Sequence, residues 1–184
     1  MRALAFACLA LAACADAPAP SAPDATPPPP GGLVLSDDGL AGLDAGTPFT
    51  PEAVAEAIGE GVTAELAPGT DAGSAGTLWV LRDGLLLAEV LREPRMAGGD
   101  GPTRVEVVGA GIAGPGGAEV GQAFADTELA RRDCEVGTGD RAGSAVCELG
   151  GVELVFAHGG DPAALPDADA LGRALLTRMV WRAR

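Results

Sequence analysis

The side chains able to do chemistry in this sequence are few, and most are carboxylates. The 184 residues hold 26 Asp and Glu, one histidine (His158), four cysteines, no tyrosine, and twelve basic residues that are all arginine. Lysine, tyrosine and histidine supply many enzymic nucleophiles and proton carriers, so this inventory leaves Ser, Thr, Asp and Glu for most such roles. Acid pairs occur at Asp37-Asp38 and at Asp167 with Asp169. Neither sits in an EF-hand loop, so any calcium affinity is expected to be weak. Paired carboxylates also serve glycoside hydrolysis, but sugar sites commonly carry aromatic platforms. Trp79 and Trp181 lie in apolar runs and are expected in the core.

Two glycine-rich stretches bear on catalysis more directly. Gly109-Ala110-Gly111-Ile112-Ala113-Gly114 follows Val105-Glu106-Val107-Val108 and fits G-x-G-x-x-G, the turn that cradles a dinucleotide pyrophosphate. The phosphate-binding helix should then run on, but Pro115-Gly116-Gly117 stands in its place. A glycine-rich turn is therefore expected, with no nucleotide and no cofactor. His158-Gly159-Gly160-Asp161 has the order of an esterase oxyanion loop, yet no G-x-S-x-G supplies a nucleophile, and Ser144 directly follows Gly143. His158 is expected at the exit of a strand with its ring partly exposed, and no catalytic residues are assigned.

The start of the chain says where such a protein works. Met1-Arg2 precedes the apolar run Ala3 to Ala13, which has the parts of a secretory signal but is too short to span a bilayer. Leu11-Ala12-Ala13-Cys14 resembles the lipobox of bacterial lipoproteins. That resemblance implies a signal peptide over residues 1–13, lipidation at Cys14, and a stable membrane anchor of two or more acyl chains. Ala15 after the lipid cysteine implies the outer membrane, facing the periplasm. Residues 14–31 then form the lipidated cysteine and a linker, with seven prolines between Ala15 and Gly31. A polyproline linker rises ~3.1 Å per residue and could reach roughly 50 Å.

Export also decides the cysteines. Cys8 leaves with the signal and Cys14 is lipidated, so Cys134 and Cys147 remain. An even pair in an oxidising compartment is expected to form a disulfide. Metal binding is the rival, but there is no C-x-x-C and only one histidine. The net charge is −14, one unit more negative once Arg2 is removed. Such a surface repels nucleic acid and anionic headgroups and favours a cationic protein partner.

The elements that must position these residues fall in one domain, residues 32–184, of α+β class. Thr50-Pro51-Glu52 opens a short helix that Gly59 can close. Strands are expected at Val62 to Leu66 and Arg104 to Val108. Thr77 to Arg82 and Leu85 to Arg92 flank Asp83-Gly84 as a hairpin. Leu78 and Val80 on one of its faces, with Trp79 and Leu81 on the other, predict cover on both sides. Gln122 to Arg132 is a modest helix candidate. Val146 to Leu149 and Val152 to Ala157 flank Gly150-Gly151 as a second hairpin, one face of which points to the core. Cys134 would tie the loop before this hairpin to its first strand. Leu171, Leu175 and Met179 fit a helix face, whereas Thr177, Met179 and Trp181 alternate as in a strand. Gly172 weakens the helix, so a final strand is expected.

Gly46-Thr47-Pro48-Phe49, the stretch Gly111 to Phe124, Cys134, Val146-Cys147, Leu154-Val155-Phe156 and Met179-Val180-Trp181 together resemble the sigma-E-regulated lipoprotein family of proteobacteria. The resemblance covers Leu33 to Trp181 and departs at the glycine-rich segment Glu135 to Gly143. It implies an envelope lipoprotein linked to stress responses and carries over no catalytic residues. The expected function is a non-enzymatic binding or structural role in the periplasm. The alternatives are an inhibitor of a basic wall-attacking enzyme such as lysozyme, and a hydrolase whose site these motifs do not reveal.

Overall fold

Along the strands of the large sheet, alternate positions face the core and are apolar, and this alternation of facing builds the fold. The computed structural model describes residues 32–70, 76–93 and 100–184. The lipidation candidate Cys14, the signal and the linker lie outside them. In chain order the elements are β1 (Leu33–Ser36), β2 (Gly39–Leu40), α1 (Pro51–Ile58), β3 (Thr63–Leu66), β4 (Gly76–Arg82), β5 (Leu85–Arg92) and β6 (Arg104–Val107). They continue with β7 (Ile112–Ala113), β8 (Cys134–Val136), β9 (Ser144–Leu149), β10 (Val152–Ala157), α2 (Ala168–Gly172) and β11 (Leu175–Arg182). An eight-stranded antiparallel sheet has the order β3-β4-β5-β6-β11-β10-β9-β8, and a small sheet has the order β2-β1-β7. This is the α+β class that the sequence predicts.

The register sets the core. Val80, Ala88, Val107, Met179, Leu154 and Cys147 pair in sequence across six strands, and Leu78, Val90, Val105, Trp181 and Val152 form the row beside them. All eleven are buried. They share one core with Leu33, Leu35 and Ile112 of the small sheet and with Val54 and Ile58 of α1. Period-2 alternation places one residue set on this face and the other set outside. Phe124 meets Phe156 edge-on at 5.1 Å between centroids, a favoured aromatic geometry.

Local chemistry explains the ends of α1. The Thr50 hydroxyl accepts from Ala53 N–H, Pro51 takes the first turn, and Gly59 stands just past the last helical residue with φ 111°. The Asp83-Gly84 turn has φ of 53° and 76°, the doubly left-handed form that closes two-residue hairpins. The terminal segment resolves into a short helix and then the expected strand, β11.

Three expectations need correction. Residues 122–132 form no α-helix; they contain 3-10 turns at Phe124–Asp126 and Arg131–Asp133. Their backbone bonds to a neighbouring segment instead: Phe124 N–H donates to Ala174 O at 2.9 Å, and Leu176 N–H donates to Gln122 O at 2.8 Å. The β4–β5 hairpin is not covered on both sides. Leu78 and Val80 are fully buried, but Trp79 and Leu81 on the opposite face are only half-buried. These strands lie second and third from the sheet edge, and antiparallel sheets can leave one face in water. Finally, Cys134 belongs to no loop: it opens β8, directly opposite Cys147 of β9. The expected disulfide joins the two, with Cα atoms 4.0 Å apart.

Candidate interaction surface

The outer face of the large sheet concentrates charge. Register places Glu65, Trp79, Glu89, Glu106, Val180, Glu153 and Glu148 in one transverse row across β3, β4, β5, β6, β11, β10 and β9. Five carboxylates thus share a line, and Glu89 faces Glu106 as Glu153 faces Glu148. Like charges directly opposite destabilise a sheet, so cations must intervene. Glu106 is 5% exposed and lies between Arg104 Nε at 3.1 Å and an Arg178 guanidinium nitrogen at 2.8 Å. Glu153 is paired by Arg141 and, at 3.2 Å, by Arg182. Val146, Val155 and Val180 form a small buried cluster on the same face. From β6 to β10 the row is therefore a neutralised, structural network.

The other half of the row differs. Glu65 is exposed and Glu89 half-buried, and neither has a cation partner among the described residues. Trp79 sits between them and its indole N–H has no hydrogen-bond partner there. Trp181 is the contrast: it is 3% exposed and its Nε1–H donates to Asp37 O at 2.7 Å. The sequence expectation of a core residue thus holds for Trp181 and is corrected for Trp79.

Open cavities lie elsewhere among the described residues. One of about 380 Å³ lies beside the disulfide, with Glu135, Glu148 and Glu153 facing Arg132 and Arg141. Another, about 660 Å³, is lined by Asp37, Asp38, Asp44, Trp181 and Arg184. Among the described residues, no group of three or more His, Cys, Asp or Glu side chains converges as metal ligands would.

The catalytic motifs are not brought together. His158 follows β10, and its Nδ1 accepts from Gly160 N–H at 3.0 Å, which closes its own loop. Asp167 caps α2 by accepting from Ala170 N–H at 2.8 Å. The glycine run forms a turn, the two-residue β7 and a 3-10 turn at Pro115–Gly117, with no α-helix after it. Gly109 and Gly114 serve close packing, and Gly111 supplies a φ of 86°. A Cβ on Gly109 would lie 2.5 Å from Leu86 O, and one on Gly114 would lie 2.5 Å from Met179 Sδ. Gly109→Ala is therefore expected to destabilise the fold by roughly 1–3 kcal/mol, as overpacking does. A urea midpoint equal to that of the unchanged protein would show that the backbone yields there freely.

Sequence reading missed the Glu106 network. The available signal was one glutamate at an outward position in each of several apolar strands, as in Val105-Glu106-Val107 and Leu87-Ala88-Glu89-Val90.

No family model matches the chain. No curated protein matches it either. Among solved structures, the chain is similar to the uncharacterized protein yfeY from Escherichia coli, with a TM-score of 0.59 and 21% identity over 80% of this chain and 98% of that one. The chain thus shares the fold of that protein.

Proposed function

We propose that this protein is an envelope lipoprotein of the sigma-E-regulated type, anchored through Cys14, whose domain binds a cationic protein partner and carries out no catalysis. The observation that carries the reading is the distribution of charge. Residues 32–70 contain seven carboxylates and no basic residue, and among the described residues none of the seven forms an ion pair. The arginines lie elsewhere, and five of them are held in ion pairs on or beside the large sheet. An uncompensated field of this sign draws basic proteins and repels nucleic acid and anionic lipid. Basic enzymes that attack the cell wall are the partner class this field and a periplasmic location favour, which makes inhibition of such an enzyme the specific form of the proposal. Among the described residues no helix is long and apolar enough to cross a membrane; in this reading the anchor is the lipid on Cys14.

The anchor and the binding role separate experimentally. Labelled palmitate should enter the unchanged protein and be lost in Cys14→Ala, which should remain unprocessed. Palmitate incorporation in that variant would contradict the anchor. His158→Ala should protect the wall against lysozyme as well as the unchanged protein does. Loss of protection in a folded His158→Ala protein would return the argument to catalysis.

A further inference from the structure

The half of the outer face around Glu65 and Glu89, which have no cation partner among the described residues, has a shape and chemistry of its own. Leu81 lies opposite Leu86, Trp79 opposite Glu89, and Thr77 opposite Leu91. Leu81, Leu86, Leu91 and Trp79 are all half-buried, so an apolar stripe runs along the hairpin on its uncovered side. At the hairpin tip Leu85 is 71% exposed. Carboxylates border the stripe: Glu65 opposite Trp79 on the edge strand β3, and Glu89 opposite it on β5. Directly opposite residues bring their Cβ atoms to about 4.5–5.5 Å. A cation above the indole is thus within reach of both carboxylates and of the ring face, the pairing that favours Lys and Arg. Arg104, opposite Leu91 on β6, is already engaged by Glu106 and by Glu93 at 3.7 Å.

We infer that the outer face of β3–β5, centred on Trp79, is the docking surface for the cationic partner, and that it takes an amphipathic segment. A Lys or Arg of that segment lies over Trp79 between Glu65 and Glu89, and its apolar side chains cover the leucines. This inference rests on the binding reading above and adds the surface and the kind of segment. Charge selects this occupant over the others. A second copy of the chain would set Glu65 and Glu89 against carboxylates of its own kind. The chain's own linker, residues 15–31, contains Asp16 and Asp24 and no basic residue. Anionic headgroups are repelled by the same two glutamates. Trp79 also has the half-apolar, half-wet character that places tryptophan at the centre of protein interfaces.

The test uses residues 14–184 with Cys14→Ser, which keeps the whole mature chain free of lipid. Its two indole N–H resonances, assigned with Trp79→Phe, are followed as capped Lys-Leu-Lys-Leu-Lys, the control Glu-Leu-Glu-Leu-Glu, and hen lysozyme are added at about 20 mM salt, where screening is weak. The Trp79 resonance should shift saturably with the basic peptide and with lysozyme. The Trp181 resonance should stay in place, and the acidic control should do nothing. Trp79→Ala and the double variant Glu65→Gln/Glu89→Gln should each weaken binding by roughly tenfold, the scale of a lost cation–π or charge contact. The double variant leaves the core untouched, so it decides the matter if Trp79→Ala folds poorly. Binding that leaves Trp79 unmoved and survives the double variant overturns this surface while the cationic-partner reading stands. Failure of every basic probe to bind at low salt overturns both.

Discussion

Glu106→Ala is expected to lower the stability of the folded domain by about 3 kcal/mol, near the lower end of the range for breaking a buried ion pair. Glu106 is 5% exposed and forms ion pairs with two guanidinium groups from two strands, Arg104 of β6 and Arg178 of β11. Without it, the two guanidinium groups that converge on this carboxylate keep only longer pairs, Arg104 with Glu93 at 3.7 Å and Arg178 with Asp140 at 3.5 Å. Both arginines keep contact with solvent, which holds the effect below the upper end of that range. Glu89→Gln, one strand over in the same row, is expected to change stability by less than about 0.5 kcal/mol, as for surface substitutions without a partner. Urea denaturation of the two variants makes the comparison. Equal losses would mean that Glu106 contributes no more than an ordinary surface charge and that the network has no structural role.

Reduction of the Cys134–Cys147 bridge is expected to have an effect of similar size. The two cysteines are separated by 13 positions, and a loop of about that length is stabilised by roughly 3 kcal/mol in the chain-entropy account. The loss should be local at first, because β8 is a three-residue edge strand that pairs with β9 alone. Under reductant, amide exchange should therefore speed up in Glu135 to Gly137 before it does in β10 or β11. Thiol labelling of the native domain without reductant should modify neither cysteine. Stoichiometric labelling of both would contradict the bridge, and an unchanged urea midpoint after reduction would contradict its contribution.

What the sequence disclosed depended on how local the determining interactions were. The cap of α1 was legible because Thr50, Pro51 and Gly59 act on their own neighbours. Asp83-Gly84 was legible for the same reason: the turn needs two left-handed residues and little else. Residues 122–132 misled because their apolar spacing suits a helix, while Ala174 and Leu176, distant in sequence, take the hydrogen bonds a helix needs. The strands of the small sheet were invisible because β2 and β7 have two residues each and exist only through pairings such as Leu33 with Ile112. The candidate surface lies between these cases. Each outward glutamate stands out within its apolar strand, but only the register aligns Glu65, Trp79, Glu89 and Glu106. Trp79 was misplaced in the core because its strand is apolar on both faces and only one of them is covered.

The central claim is that the folded domain binds a basic protein through its uncompensated carboxylates. Calorimetric titration of residues 14–184, carrying Cys14→Ser, with hen lysozyme at two salt concentrations tests it most directly. The account predicts saturable binding at about 20 mM salt that weakens steeply by about 0.5 M, where the Debye length has fallen to a few ångströms. Absence of binding at the lower salt concentration, or an affinity indifferent to salt, would contradict it.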